Sequence, residues 1–191
     1  MELLKERIYK DGKVFPGDVL KVDSFLNHQI DAELLGKMGE EIYDLFKDCS
    51  VNKILTIEAS GIALACFAAR EFSCPCVFAK KAKTSNISDS VYTTGVHSYT
   101  HGVDYNIVVS KEFLNEGDNV LIVDDFLAKG AAMNGLISLC EQAGARVVGC
   151  VAAIEKVFQN GGNSLREKGY RVEGLAKVLE MDGEAGTIVL E

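Results

Sequence analysis

The chain has 191 residues, of which 48% are hydrophobic and 25% charged, a balance typical of a globular protein with an ordinary hydrophobic core. Its formal net charge of −8 argues against non-specific binding to nucleic acid or to an anionic membrane surface. The longest nearly apolar runs, such as GIALACFAA, are too short to span a bilayer, and the N-terminal MELLKERIYK lacks the apolar core of a signal peptide.

Helix and strand patterns alternate along the chain. The segment DAELLGKMGEEIYDLFKD at 31–48 begins with a capping aspartate, Asp31, and continues with an apolar stripe of helical period. Short apolar runs predict strands at 53–57, 75–80, 119–123 and 146–154, and helices are predicted at 62–72 and 131–144. Strands joined through helices form parallel pairs, so the predicted fold class is α/β, a mostly parallel central sheet flanked by helices.

The remaining segments are predicted to lie outside this sheet. We predict one domain, 1–191, with its core at about 31–155 and with a small hood formed by about 1–30 and 156–191. The segment at about 81–111 is polar and rich in Ser, Thr and Tyr, and it is predicted to be a flexible insertion. Within it, VYTTGVHSYT and YNIVVS could form hairpin strands.

The six cysteines of the chain lie mostly among apolar residues. They include no CxxC pair, and the CPC spacing at 74–76 has no histidine nearby that would complete a metal site. Reduced, structural thiols and a cytosolic location are therefore predicted.

Two of the predicted strand ends carry residues suited to binding phosphate. After KILTI, Glu58 is followed by ASG at 59–61, small residues that open a helix and expose backbone N–H groups. The next strand ends in Lys80, Lys81 and Lys83, whose charge could neutralise a polyphosphate. Taken alone, the first feature also suits a tight turn and the second a solvated surface.

A third strand end, VLIVDDFLAKGAA at 120–132, is the most informative. Its apolar residues suit a buried strand, and Asp124 and Asp125 are predicted to end that strand where open α/β sheets bind ligands. A Walker B strand would need a G-x-x-x-x-G-K-[ST] motif, which the chain lacks. A phospho-acceptor receiver domain is excluded as well, because too little chain follows Asp125.

The same stretch resembles the phosphoribosyl-pyrophosphate motif of the type I phosphoribosyltransferases. KVDSFLNHQI, TIEASGIA, VFAKK, VLIVDDFLAKGAA and AAIEKVFQ, in this order, are similar to the bacterial xanthine branch of that family, and the likeness runs through nearly the whole chain. The resemblance implies the type I phosphoribosyltransferase fold. It also implies a reaction in which xanthine displaces pyrophosphate from phosphoribosyl pyrophosphate, giving xanthosine 5′-monophosphate.

The resemblance further implies roles for individual residues. Asp124 and Asp125 would contact the ribose hydroxyls and favour the positive charge that develops on the sugar in an oxocarbenium-like transition state. Phosphoribosyl pyrophosphate would be bound by Ala128, Lys129, Gly130, Ala131, Ala132, Glu58, Ala59, Ser60, Gly61, Lys80 and Lys81. Magnesium is expected to arrive with the pyrophosphate, because the sequence shows no metal site made of protein ligands alone.

Three positions depart from the family pattern. Lys129 and Ala132 stand where threonine is common, so two hydroxyl contacts to the phosphate are missing. Ala128 stands where some members carry an aspartate proposed as the general base on the purine. The proton of the imidazole ring is then expected to go to water, or the base to enter as its anion.

For the purine, the resemblance implies a site formed by Leu20, Asn27 and Lys156. Xanthine has two ring carbonyls, so it needs donors, which the Asn27 amide and the Lys156 ammonium provide. Adenine would place a donor against a donor, a mismatch that a polar site rejects strongly. Phe158 is interpreted either as a stacking ring or as a core aromatic.

The resemblance implies a homodimer that acts on small molecules, without nucleic-acid or membrane partners. Two alternatives stay open. The enzyme could prefer guanine or hypoxanthine, which differ from xanthine by one carbonyl. A non-catalytic regulator that senses phosphoribosyl pyrophosphate is a different class, and it would need a basic face or a nucleic-acid-binding appendage that this acidic chain does not show.

Overall fold

We describe residues 1–82, 90–98 and 103–191 of the protein in a computed structural model. Lys83, one of the three predicted cationic residues, lies outside these ranges. The helices are α1 (Glu2–Asp11), α2 (Ala32–Phe46), α3 (Gly61–Phe72), α4 (Ala131–Ala143) and α5 (Gly161–Glu167). The strands are β1 (Lys13–Phe15), β2 (Val19–Lys21), β3 (Lys53–Ile57), β4 (Cys76–Ala82), β5 (Val91–Ser98), β6 (Val103–Ser110), β7 (Asn119–Leu127), β8 (Arg146–Lys156), β9 (Val172–Asp182) and β10 (Thr187–Leu190).

An eight-stranded sheet in the order β10-β9-β8-β7-β3-β4-β6-β5 forms the centre of the molecule. The five neighbouring strands from β9 to β4 are parallel. The outer strands pair antiparallel, β10 at one side of the sheet and β6 and β5 at the other. The predicted α/β fold class, with a mostly parallel central sheet, is confirmed. Parallel strands of this kind place their carboxyl ends, and the loops that follow them, at one edge of the sheet.

Helices cover both faces of the sheet. On β7, Val120 and Ile122 pack in the cluster that contains α4, whereas Leu121 and Val123 pack with α2 and α3. This alternation explains why the strand reads as a continuous apolar run, since both of its faces are buried. The predicted cap of α2 is present as well, because the Asp31 carboxylate accepts a hydrogen bond from the Leu34 N–H at 3.1 Å.

The prediction that the two aspartates end the β7 strand is wrong. The strand continues to Leu127, and β8 runs alongside it to Lys156. Asp124 lies opposite Ala152 in this ladder and Leu127 opposite Glu155. Because β8 provides pairing partners for the backbone, both carboxylates project from a fixed strand instead of a loop.

The segment that follows β4 also differs from the prediction. The expected hairpin strands are present as β5 and β6, and they extend the main sheet, which corrects the expectation that this segment lies outside the core. Ile107 and Val109 of β6 are buried, as is Val96 of β5. Alternate apolar residues of these strands pack against α4, where a Cβ on Gly135 would lie 2.6 Å from Cγ2 of Val96.

The N- and C-terminal segments pack together beside β8. The N-terminal ammonium donates to the carbonyl of Leu175 on β9 at 2.6 Å, and Gly183, after β9, lies against the backbone of Phe15 in the β1–β2 hairpin. Much of the C-terminal segment is part of the main sheet, since β9 and β10 continue it. Within the described ranges, no helix is long and apolar enough to cross a membrane.

Candidate active site

Two helices begin at the same edge of the sheet. Strands β3 and β7 are parallel neighbours, with Ile54 opposite Leu121, and α3 and α4 follow them after short loops. The first N–H groups of each helix have no partner within the helix, and the helix dipole places positive partial charge there. Two such helix starts, side by side, make this edge suited to a ligand with more than one anionic group.

The carboxylate of Asp124 lies directly against the start of α3. Asp124 is 4% exposed, and a Cβ on Gly61 would lie 2.9 Å from its Oδ1 and in collision with Oγ1 of Thr56. Only glycine at position 61 allows this approach. Thr56 Oγ1 is buried and has no hydrogen-bond partner among the described residues.

Burial makes Asp124 a weak acid. Desolvation raises its pKa well above the usual range, and the neighbouring charge of Asp125 raises the pKa further. Two weaker influences lower the pKa. The Asp125 N–H donates to Asp124 Oδ1 at 2.9 Å, and the charge of Lys81 attracts the ionised carboxylate. The pKa of Tyr105 is also raised, chiefly by burial and then by the charge of Asp124. Asp124 thus carries its negative charge at a free-energy cost that a cationic or donor-rich ligand would reduce.

The loop at 128–132 is held by its carbonyl groups. The Ala128 carbonyl accepts from the Gly161 N–H at 3.0 Å, and the Gly130 carbonyl accepts from both the N–H and the side-chain amide of Asn134, at 2.9 and 2.8 Å. Gly130 has a φ of +81°, a conformation that favours glycine. These hydrogen bonds fix the loop just before the first residues of α4, whose N–H groups have no partner within the helix and can bind a ligand. The side chain of Lys129 is exposed.

The turn after β3 is tied to β4. The Glu58 N–H donates to the Ala79 carbonyl at 3.0 Å, and the Glu58 carboxylate accepts from the Lys81 N–H at 2.6 Å. The peptide bond that joins Glu58 to Ala59 is cis. Ser60 and Gly61 follow and open α3, so the predicted pyrophosphate turn lies at the same sheet edge as Asp124.

The two predicted lysines lie on opposite faces of β4. The Lys81 ammonium lies 5.4 Å from the ring centre of Tyr105 and is close enough to Asp124 to lower its pKa. The Lys80 ammonium lies 5.9 Å from the ring centre of Phe78, which is 39% exposed. The structure therefore brings Lys81 to the carboxylates and directs Lys80 away from them.

The three predicted base-binding residues come from the N-terminal segment and from the end of β8. The Lys156 ammonium donates to the Asp18 carbonyl at 2.7 Å and lies 5.3 Å from the ring centre of Phe126, next to Asp125. Burial lowers its pKa, and the charge of Asp18 acts in the opposite direction. Leu20 is buried two residues after Asp18, and the buried Oδ1 of Asn27 has no hydrogen-bond partner within the described ranges.

Sequence reasoning missed three residues near these groups. Thr56 and Tyr105 lie near Asp124. Asp18 accepts hydrogen bonds from two side chains: its carbonyl accepts from Lys156, and its carboxylate accepts from the Gln159 amide at 3.3 Å. The unusual φ of Asp18, +59°, marks a tight turn that the sequence PGD indicates only in part. Phe158 is 40% exposed, which disfavours its interpretation as a core aromatic.

Replacing the buried acid by its neutral isostere is expected to stabilise the fold. Because the pKa of Asp124 is raised, the folded chain keeps a proton that the unfolded chain has released, so stability falls as pH rises through the interval between the two pKa values. Asp124→Asn should therefore unfold at a higher urea concentration than the parent at about pH 7, with a smaller gain at about pH 4.

Urea unfolding of Asp124→Asn at both pH values tests this expectation, and Asp48→Asn, at an exposed position, is the matched control. A loss of stability at neutral pH would contradict this expectation, and a gain that does not depend on pH would show that the gain does not come from the ionisation of Asp124.

Comparison with known proteins identifies the family of the chain. A family model described as "Phosphoribosyl transferase domain" matches residues 21–176. The xanthine phosphoribosyltransferase of Bifidobacterium adolescentis is 55% identical over 189 residues, 98% of each chain, and that of Staphylococcus aureus (strain JH9) is 50% identical over the full 191 residues of both. The solved structure of the Giardia lamblia APRTase with 9-deazaadenine superposes with a TM-score of 0.79 at 21% identity, covering 94% of this chain and 98% of that one.

The likeness in structure concerns the fold alone, whereas the likeness in sequence covers 98 to 100% of the chain. The predicted resemblance is confirmed. The chain belongs to the phosphoribosyltransferase family.

Proposed function

We propose that the protein transfers the phosphoribosyl group of phosphoribosyl pyrophosphate to xanthine, giving xanthosine 5′-monophosphate and pyrophosphate. The observation that carries the proposal is the convergence at one sheet edge of a buried carboxylate, two helix N-termini and Lys156. Relatives that bear the name xanthine phosphoribosyltransferase are 50 to 55% identical over almost the whole chain, which supports xanthine as the base.

The reaction needs little covalent chemistry from the protein. The bond between the ribose C1 and the pyrophosphate oxygen breaks, a bond from C1 to a purine nitrogen forms, and that nitrogen loses its proton to water. In the interval the sugar carries positive charge. The fixed carboxylates of Asp124 and Asp125 would stabilise this charge and accept hydrogen bonds from the ribose hydroxyls, while the protein aligns the two reactants.

The 5′-phosphate would bind at the start of α4, where the loop at 128–132 presents backbone N–H groups. Pyrophosphate would bind at the turn of residues 58–61, with the Lys81 ammonium beside it. This division gives each anionic group of the substrate one helix start. It also leaves the carboxylates between the 5′-phosphate and the pyrophosphate, next to the sugar.

Magnesium would supply charge neutralisation on the leaving pyrophosphate. Among the described residues, no three His, Cys, Asp or Glu side chains lie close enough together to hold a metal ion. Asp125 is only partly buried and offers an oxygen ligand of the kind that Mg²⁺ prefers. The remaining ligands would come from the substrate and from water, so the residues present fit an ion that arrives with pyrophosphate.

The base would lie between the Asn27 amide and the Lys156 ammonium. Xanthine carries ring N–H groups as well as two carbonyls, and the buried Oδ1 of Asn27 is an acceptor for one of these N–H groups. The donors on Asn27 and Lys156 would face the carbonyls. Guanine has an amino group in place of one of these carbonyls, so a donor would meet a donor if Lys156 faces that position.

Lys80 supports the expected homodimer. It lies on the opposite face of β4 from Lys81 and next to the exposed ring of Phe78, so it could serve the pyrophosphate of a neighbouring subunit but not that of its own. We propose a homodimer on this basis. The free cysteines support a location in the cytoplasm, where thiols stay reduced. Sedimentation equilibrium of the parent chain and of a Phe78→Ser variant tests the assembly.

The experiment that tests the function is an assay of nucleotide formation. Purified protein is mixed with phosphoribosyl pyrophosphate and magnesium, and xanthine, guanine, hypoxanthine and adenine are offered separately. We expect xanthosine 5′-monophosphate to form fastest. Faster use of guanine or hypoxanthine would contradict the choice of base, and binding of phosphoribosyl pyrophosphate without any product would favour a sensor.

The Lys156→Met variant tests the base site. Loss of a charged hydrogen-bond donor should raise the KM for xanthine about tenfold or more, whereas the KM for phosphoribosyl pyrophosphate should change by less than about twofold. Steady-state kinetics with each substrate varied in turn measures both constants. A rise in the KM for phosphoribosyl pyrophosphate alone would show that Lys156 serves the sugar phosphate.

A further inference from the structure

Helix α5 contacts the loop at 128–132 at its start and the first turn of α4 near its end. At its start, the Gly161 N–H donates to the Ala128 carbonyl at 3.0 Å, and a Cβ on Gly161 would lie 2.5 Å from the Gly130 nitrogen. Just after its last residue, the Lys168 ammonium donates to Oδ1 of Asn134 at 2.8 Å. The helix therefore touches both the loop and the first turn of α4.

Asn134 links Lys168 to the loop. Its side-chain amide donates to the Gly130 carbonyl at 2.8 Å, on the same oxygen that accepts the backbone N–H of Asn134. An asparagine amide can be turned by half a rotation, which exchanges its donor and acceptor ends. Because an ammonium can only donate, Lys168 fixes Oδ1 toward itself and Nδ2 toward Gly130.

A buried ion pair fixes the position of α5. Glu155 is fully buried, and its two oxygens accept from Nη1 and Nη2 of Arg166 at 2.7 and 2.8 Å. Arg166 Nη2 also donates to the Val172 carbonyl at 3.0 Å, and Gly162 lies directly against the Glu155 carboxylate. Arg166 is thus bound to both β8 and β9, so the Lys168 end of α5 is attached to a rigid part of the sheet.

The composition of the loop makes its backbone orientation important. Ala132 provides no hydroxyl, so binding of phosphate there depends on N–H groups, whose directions follow the orientation of the Gly130 peptide. A hydrogen bond that holds the Gly130 carbonyl in place therefore also holds the neighbouring N–H groups in place. Lys168 is exposed and lies outside the hydrophobic core, so its hydrogen bond to Asn134 has little to do with the stability of the fold.

We propose that Asn134 and Lys168 are positioning residues for the phosphate loop, with Lys168 orienting the Asn134 amide and the amide orienting the Gly130 peptide. The inference rests on the proposed function, because it takes residues 128–132 as the site of the 5′-phosphate. It concerns the affinity for the sugar phosphate and leaves the affinity for the base unchanged.

The test uses Lys168→Met, Asn134→Ala and the double variant of the full chain. Lys37→Met is the matched control, since it removes the same charge from an exposed lysine that pairs with Glu40 on α2. For each protein, the KM for phosphoribosyl pyrophosphate, the KM for xanthine, the urea midpoint and the Kd of ribose 5-phosphate by calorimetry are measured.

We expect Lys168→Met to raise both the KM for phosphoribosyl pyrophosphate and the Kd of ribose 5-phosphate about fivefold, the factor that one hydrogen bond of ordinary net strength contributes. The KM for xanthine and the urea midpoint should stay at the parent values, and Lys37→Met should match the parent throughout. Because Lys168 acts through Asn134, the double variant should bind no more weakly than Asn134→Ala.

Three results would overturn the inference. The first is parent-like binding of ribose 5-phosphate by Lys168→Met. The second is a double variant that shows the full product of both single effects, since Lys168 would then act by its charge alone. The third is a parent protein that binds neither phosphoribosyl pyrophosphate nor ribose 5-phosphate, which would overturn the proposed function as well, whereas the first two leave it intact.

Discussion

The close packing of the α3 N-terminus against the carboxylate of Asp124 is the constraint on which the site depends. Glycine at position 61 permits it, and the parallel pairing of β3 with β7 brings the two groups to the same edge. As a result, the turn that precedes α3 and the loop that precedes α4 become neighbours. One carboxylate pair and two helix starts suit a ligand with a phosphate group, a pyrophosphate group and a sugar between them.

This arrangement is costly for the folded chain without a ligand. A carboxylate with a raised pKa, the hydroxyl of Thr56 and the carbonyl of Asn27 are all buried, and the last two have no hydrogen-bond partner within the described part of the chain. Buried polar groups are usually bonded, so the partnerless atoms of Thr56 and Asn27 are candidates for contact with a ligand. The apolar strands β7 and β8, covered on both faces, supply the stability that allows this.

The sequence predicted the fold where periodicity was strong. The apolar runs of β3, β7 and β8 and the capped stripe of α2 were correctly located, and the motif at 120–132 indicated the carboxylates. Contacts between distant parts of the chain were not predictable in this way. Nothing local shows that Asp18 would hold Lys156, that Lys168 would reach Asn134, or that β8 would extend far enough to keep Asp124 within a strand. Lys80 and Lys81 could not be distinguished in the sequence alone. Because successive side chains of a strand point to opposite faces, only Lys81 faces the carboxylates.

A crystal structure of the protein with xanthosine 5′-monophosphate tests most directly whether this sheet edge is the active site. We predict the 5′-phosphate on the N–H groups of residues 128–132, the ribose hydroxyls at Asp124 and Asp125, and the base between Asn27 and Lys156. A nucleotide bound elsewhere, for example in the open pocket of about 240 Å³ that α1, the β1–β2 hairpin and β10 line, with the carboxylates left in water, would contradict this prediction.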